Sequence, residues 1–547
     1  MAGARTVLGA AAVAVFAIVC ARFVLGRGPL DIHELRWIWG DLAQVYVAWS
    51  QYLSDPNAHW LTSTRLSYPL PLSISLFDPM PLLLLLARPF AGLVQPGTQY
   101  MGYYFVACLV LQGVFGYMAA LAALRLVGAG RDVASTLIAV FVGILVASIP
   151  YTFYRFQGHT ALSSQWVLVL SIWVSLASLD WRRGRWCAAN GAVLFLATGL
   201  NPYLALLVLI SNGVLTVVAW NRLRAAEVVL RIAVMAMVAA VGLWIFGFMG
   251  GATADSGGYG QYSMNLLGPF DSDGLGRLLP LDVPDATGHQ HFEGYTYLGL
   301  GVLLLCLLGL VSRVGRRLQS TRFPFLASLL IILCCSLLAL SSTVTVAGHV
   351  MEIPLPKALR FLLSRFRGSG RLFWMAGFWL IMVSVATCAL RFGTRRTAVV
   401  LGALLVVQWV DIRPIGTQVR KNIAAGNALH LEGIPVGQYS AVLVYPAWQC
   451  DPQGAAGGGV RNYEGVGYFA AAQHIPTNNF YAARTPADQT AFHCDFAARM
   501  REIDPRALYL VSNALFDQYR DRLQGSHDCS ALQGDKETWK CVPGSQR

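Results

Sequence analysis

The sequence predicts an α-helical polytopic membrane protein of about 11 transmembrane helices plus a re-entrant segment, ending in a small extracytoplasmic α/β domain. Three observations predict it. Of the 547 residues, 56% are hydrophobic and 13% charged, with a mean hydropathy of +0.53, whereas soluble globular chains carry about 25% charge. Apolar runs of bilayer-spanning length, roughly 20 residues, recur through the first three quarters of the chain. Beyond residue 410 those runs stop and a polar segment with strand and helix patterning takes over. A large cytosolic enzyme is excluded.

The spans fall near 7–26, 100–124, 133–150, 161–179, 187–200, 203–220, 228–249, 296–312, 325–343, 372–390 and 397–410. The first has the Arg5 and apolar core of a secretory signal. Its core is long, however, and no small-residue cleavage site precedes the next polar segment, so a retained anchor is expected. Segment 79–95 is apolar but short and is interrupted by Arg88-Pro89. Charge bias decides its fate. If it dips without crossing, the cytoplasmic side receives Arg5, Arg125, Arg131, Arg182, Arg183, Arg185, Arg222, Arg224, Arg231, Arg313, Arg316, Arg317, Arg322, Arg391, Arg395 and Arg396, against only Asp132, Asp180 and Glu227. Cations and anions then balance in the far-side loops and again in the tail, so the whole net charge of +13 sits in cytoplasmic loops. That is the positive-inside rule, and a full crossing by 79–95 would invert the downstream pattern. The pI near 9.3 thus reports topology, and a nucleic-acid partner loses its main support.

Cysteines give a second check on orientation. Cys20, Cys108, Cys187, Cys306, Cys334, Cys335 and Cys388 lie in or beside apolar spans, where free Cys behaves as a small hydrophobe. Cys450, Cys494, Cys529 and Cys541 all lie in the tail, and an even number in an exported polar segment reads as disulfides. Of the three connectivities, Cys450–Cys494 with Cys529–Cys541 is preferred, the latter closing a short hairpin-like loop. No C-x-x-C spacing suggests zinc. Two domains follow: residues 1–410 in the membrane, with external loops 27–99, 250–295 and 344–371 and a small loop at 151–160, and a periplasmic module at 411–547. In the module, 439–446 and 507–511 read as buried strands, 485–500 as a helix begun by Thr485-Pro486 and 457–459 as a glycine turn.

Polar chemistry concentrates in the external loops. In "WGDLAQVYVAW" at 39–49, Leu42, Val45, Tyr46 and Trp49 keep helical spacing, which predicts an amphipathic helix lying at the membrane interface. Asp41 sits in its first turn, either as a plain N-terminal carboxylate favoured by the helix dipole or as a chemical group. "RLSYPLPLSISLFDPMPLLLL" at 65–85 brings Arg65, Tyr68 and Asp78 to the lip of the re-entrant segment, where Asp78-Pro79 is equally an ordinary helix start. "YTFYRFQGHT" places Arg155, Gln157 and His159 in one short loop, more ligand-binding groups than solvation demands. Glu293 lies just before a span, where a carboxylate needs a partner or water. Asp271, Asp273, Asp282 and Asp285 read as a solvated loop. "SRFRGSGRLFW" at 364–374 puts Arg365, Arg367 and Arg371 on the side where positive charge does not normally collect, with Lys357 and Arg360 nearby. Gly368 and Gly370 free the backbone to approach a ligand, and arginine's planar fork suits phosphate oxygens. Lipid headgroups or the acidic 250–295 loop would be the bland partners.

In motif order and spacing, residues 1–410 resemble the GT-C superfamily of integral-membrane glycosyltransferases, in particular a bacterial branch of polytopic proteins. The motifs that carry the resemblance are the acidic residue on a juxtamembrane helix ("WGDLAQVYVAW"), the outer-face "YRFQGH" and the late "RFRGSGRLFW". The resemblance implies sugar transfer from a polyprenyl-phosphate donor to a cell-envelope glycan, lipid or protein on the periplasmic side of the inner membrane. It makes Asp41 the catalytic base, and Arg365, Arg367 and Arg371 the donor-phosphate site. Asp78, Arg155, Gln157, His159 and Glu293 would contact substrate. Metal-using members carry an Asp-x-Asp pair in the first loop, whereas Asp41 stands between Gly40 and Leu42. No cofactor is therefore expected, although Asp78 would be the second ligand if a divalent metal bound. The implied partners are the lipid bilayer and the lipid-linked sugar. A lipid or glycan transporter would show repeat symmetry and ionisable residues inside spans. A non-catalytic assembly protein would not need Asp41, His159 and the arginines to converge.

Overall fold

A computed structural model describes residues 2–78, 80–130, 132–219, 223–249, 259–312, 321–450, 463–482, 485–533 and 535–544. The expected glycine turn at 457–459, and Arg131, Arg222, Arg313, Arg316 and Arg317, lie outside the described residues. The molecule is mostly helical, with several apolar helices and a small C-terminal sheet. Among the described residues five helices are long and apolar enough to cross a membrane, namely Gly3–Leu25, Met101–Leu126, Val133–Arg155, Ala225–Ile245 and Ser369–Ala425. Shorter apolar helices include Pro202–Val218, Leu300–Val311 and Phe325–Leu340. This is a multi-pass membrane protein. Helices meet at small residues, as membrane helices do. A Cβ on Gly143 would lie 2.8 Å from the Gly113 carbonyl, which fixes how closely the helices Met101–Leu126 and Val133–Ala147 approach.

Segment 81–93 is one short α-helix, Pro81–Ala87, continued by the 3-10 turn Arg88–Leu93. At 1.5 Å per residue this is too short to cross a bilayer. Arg88 turns back and donates to the carbonyls of Tyr52, Leu53 and Asp55 at the end of the helix Asp41–Ser54.

Four sequence expectations need correction. The residues read as spans 372–390 and 397–410 are, as expected, two helices, which meet at a kink at Gly393 (φ 76°, ψ 166°) within Phe373–Ala425, but the second of them runs on through residue 410, so the boundary expected there falls inside it. The helix Asp41–Ser54 does not lie open at an interface. Gln44, Ser50 and Gln51 on its polar side are buried, because the tail helix Tyr463–Gln473 covers it, with Tyr46 and Tyr468 stacked at 5.3 Å. The short loop 151–160 opens as the buried helix Pro150–Arg155. Finally, Arg65 and Tyr68 leave the lip: Arg65 donates to Ser54, and Tyr68 packs into the tail's core. They sit on an unanticipated hairpin, Thr62–Ser67 with Leu70–Ser73. A second hairpin pairs Thr343–Val346 with His349–Glu352.

Asp411 shows what the long helix is for. Fully buried, it accepts from the backbone N–H groups of Leu278, Leu279 and Leu300 and from the Tyr297 hydroxyl. One side chain thus ties the chain at Leu278 and Leu279 and the start of the helix Leu300–Val311 to a rigid post. Asp411→Ala strands these donors, at about 1–3 kcal/mol for each left unsatisfied. Thermal unfolding in detergent is expected to show a clear fall in Tm, and an unchanged Tm would refute the clamp.

The tail carries a four-stranded sheet in the order 442–445, 508–512, 535–543, 527–532, with the first pair parallel and the others antiparallel. All four residues of Val442–Tyr445 are buried because both faces are covered. Val442, Val444, Leu508 and Leu510 meet Val466 and Ala470 on one side. Leu443, Tyr445, Tyr509 and Val511 meet Phe516 and Leu523 on the other. Disulfides join Cys450 to Cys494 and Cys529 to Cys541.

Candidate active site

Local backbone chemistry sets up each side chain. Gly40 takes φ 57° and lets the chain turn sharply into the helix Asp41–Ser54, so Asp41 becomes its first residue. The tail holds that turn in place, with Glu464 Oε1 accepting from the Gly40 N–H at 2.9 Å. Asp78 occupies the left-handed region (φ 53°, ψ 32°), which Asp tolerates better than most residues. Its carboxylate accepts from Asn201 Nδ2 at 3.0 Å, while Asn201 Oδ1 caps the next helix by accepting from the Tyr203 N–H.

These elements converge on a cavity of about 150 Å³ lined by Asp41, Gln44, Asp78, His159, Asn201, Tyr203, Tyr262, Glu293, Arg365, Arg367, Gly368, Arg371 and Tyr481. His159 stands at its centre. Its Nε2 lies 2.7 Å from Glu293 Oε1 and 3.8 Å from Asp41 Oδ2, and its Nδ1 lies 3.7 Å from Asp78 Oδ2. Burial alone would push the imidazole pKa down, but the carboxylates of Glu293 and Asp78 push it up to about 9, so it is a cation at neutral pH. Glu293 answers three cations. Arg371 donates to Oε2 from both Nε (3.0 Å) and Nη2 (2.5 Å), and Arg155 donates to the same oxygen at 3.2 Å. Although burial would raise the Glu293 pKa, Arg371, His159 and Arg155 hold it well below the carboxylate range. Asp41 differs. Burial raises it above the usual range, against the pull of His159, yet 39% of its side chain stays open.

Seven of the sequence-predicted residues therefore meet in one place: Asp41, Asp78, His159, Glu293, Arg365, Arg367 and Arg371. Two do not. Arg155 is 1% exposed and lies behind the cavity, stacked on Phe292 and bonded to its carbonyl. Gln157 turns away and accepts from Asn422 on the long helix. The arginines also divide in role. Arg371 is committed to Glu293, whereas Arg367 packs over the Tyr262 ring and makes no ion pair among the described residues. With Arg365 and protonated His159 added, the surroundings of the cavity carry more positive than negative charge.

Sequence reading missed Gln44, Asn201, Tyr203, Tyr262 and Tyr481. Two of them carry a signal. Gln44 lies one turn after Asp41, on the same helix face, and its Nε2 is buried without a partner among the described residues. Asn201-Pro202 is a helix start. Tyr481 comes from the tail, and nothing local marks it. The loop 364–371 needs glycine at 370, where a Cβ would sit 2.8 Å from Gly294 Cα and push Arg371 away from Glu293. Gly370→Ala is expected to cost about 1–3 kcal/mol of stability, read as a lowered Tm in detergent. An unaffected Tm would show that the loop has room to yield.

No curated protein matches the sequence. Several solved structures are similar to this one. Among them is the oligosaccharyltransferase AglB from Archaeoglobus fulgidus, in complex with an inhibitory peptide and a dolichol-phosphate, at 10% identity and a TM-score of 0.47 over 98% of this chain and 74% of that one. Another is ArnT from Cupriavidus metallidurans in the apo state, at 11% identity and a TM-score of 0.48 over 99% of each chain. In sequence, residues 14–413 match the family described as Domain of unknown function (DUF6311), and residues 434–543 match the DUF6311 C-terminal domain. The chain belongs to the DUF6311 family.

Proposed function

We propose that this protein is a glycosyltransferase of the bacterial inner membrane. It transfers a sugar from a polyprenyl-phosphate donor to an envelope glycan, lipid or protein acceptor on the periplasmic side. The observation that carries the reading is the cavity in which an open carboxylate, Asp41, and the side chains of Arg365, Arg367 and Arg371 share one lining. Neighbouring helices offer a place for the hydrocarbon tail, and the positive-inside pattern puts the N-terminus in the cytoplasm and the tail domain in the periplasm.

In the reaction the acceptor heteroatom attacks the anomeric carbon, the bond from that carbon to the phosphate oxygen breaks, and the acceptor's proton passes to Asp41. A positioned base of this kind contributes about 10²–10⁴ in rate. Arg367 and Arg365 stabilise the charge growing on the departing polyprenyl phosphate. Arg371 and His159, both held by Glu293, keep the floor of the cavity rigid and positive. Asn201 fixes the Asp78 carboxylate, and Gln44 offers to a sugar hydroxyl its Nε2, which has no partner among the described residues.

The test is to extract lipid-linked and envelope glycans from cells lacking the protein and from cells rescued with wild type or Asp41→Asn. The reading expects a glycan difference restored by wild type and not by the variant. Identical glycans in all strains would overturn it.

A further inference from the structure

We propose that the second external segment holds a divalent cation of the zinc class, at a site separate from the cavity described above. Among the described residues, the one group of three or more His, Cys, Asp or Glu side chains with ligand atoms all within 4.8 Å of one another is Asp273, Asp282 and His291. The sequence read these acids as a solvated loop. Instead Asp271 is only 7% exposed, and it orients the chain by accepting from the backbone N–H groups of Asp273 and Val283.

The imidazole is set for a metal. His291 Nε2 lies 2.7 Å from the Val283 carbonyl, to which it donates, and this leaves Nδ1 directed at Asp273 Oδ1, 3.1 Å away. A ligating His characteristically gives its other N–H to a carbonyl in this way, which fixes the tautomer. No arginine or lysine pairs with Asp271, Asp273 or Asp282 among the described residues, so the cluster has a deficit of positive charge that His291 alone does not fill.

An independent observation comes from Tyr295. It is 4% exposed, and its hydroxyl has no hydrogen-bond partner among the described residues. It stacks at 4.0 Å on Tyr154, whose hydroxyl meets Asp273 Oδ2 at 3.4 Å. A water on the metal would give that orphaned hydroxyl its partner. Two carboxylates with one imidazole, leaving a position for water, suit Zn²⁺ better than Ca²⁺ or Mg²⁺, which prefer all-oxygen shells. Since His291 lies two residues before Glu293, the ion would pin the turn that delivers Glu293 to the cavity. The inference does not depend on the sugar-transfer reading.

The test uses the full chain in detergent, stripped with a chelator and titrated calorimetrically with Zn²⁺, Mn²⁺ or Ca²⁺. One Zn²⁺ per chain is expected, bound more tightly than Ca²⁺ and raising the Tm. Asp282→Asn and His291→Gln should each weaken Zn²⁺ binding by about tenfold or more. Asp282 is exposed, so that variant is expected to melt like wild type in chelator, which separates lost binding from lost folding. Asp41→Asn should bind Zn²⁺ like wild type, since it alters only the other cavity. Unchanged Zn²⁺ binding in both Asp282→Asn and His291→Gln, or Ca²⁺ binding tighter than Zn²⁺, would overturn the assignment.

Discussion

Asp41→Asn is expected to lower sugar transfer by about 10²–10⁴ while leaving the Tm close to that of wild type, because the amide keeps the side chain's shape at the start of its helix. Charge at this position is the reactive feature: Asp41 pairs with no arginine among the described residues, and of the cavity carboxylates Asp41, Asp78 and Glu293 it has the most open side chain, 39% against 26% and 12%. Its raised pKa has a direction that can be checked. Only the ionised form accepts a proton, so transfer should climb with pH through a midpoint above the ordinary Asp value of about 3.9. Asn at 41 removes that limb from the residual activity. Full activity in the variant, or an unaltered acidic limb, would take the base role away from Asp41.

The second large effect belongs to Glu293. Removing its charge with Glu293→Gln leaves Arg371, Arg155 and His159 together in a buried space, and breaking a buried pair from one side costs about 3–5 kcal/mol. Arg371→Ala should cost less, because Glu293 keeps Arg155 and His159. Chemical unfolding of the three proteins in the same detergent provides the comparison, and equal stabilities would show that the ion cluster contributes nothing. The pH dependence has two arms. Glu293 has a depressed folded pKa, so its stabilisation is present above about pH 4.3 and is lost as pH falls through the much lower folded value. His159 has a raised folded pKa, so its contribution is complete below about pH 6.5 and disappears as pH rises through about 9. Wild type should therefore lose stability between neutral and alkaline pH, and Glu293→Gln should flatten that decline.

Much of the site was legible because charge is expensive near a bilayer. Asp41, His159, Glu293 and the arginines of 364–371 stood out as ionisable groups in loops where solvation or topology did not require them. Gln157 stood out as one polar group more than so short a loop needs, and it faces the long helix. Spacing within "YRFQGH" does not say which way each side chain of a tight turn points. Asn201 was hidden as a helix cap, and the tyrosines of the cavity were three among 21 in the chain. In the sequence Asp411 reads as the first residue of a polar tail, because the apolar runs stop at residue 410. Only the packing of 278–300 against the helix shows it to be a clamp.

By itself the sequence determined the membrane-embedded class, the position of nearly every apolar helix and the polar chemistry of the loops, since hydrophobic run length and charge placement are local responses to the bilayer. Tertiary structure alone decided that seven of those ionisable groups share one cavity, that Arg371 is occupied by Glu293 while Arg367 makes no ion pair among the described residues, and that the tail reaches back through Glu464 and Tyr481 to hold and line the site. Contacts between residues hundreds of positions apart depend on how helices cross and loops close, and no short stretch of chain encodes them.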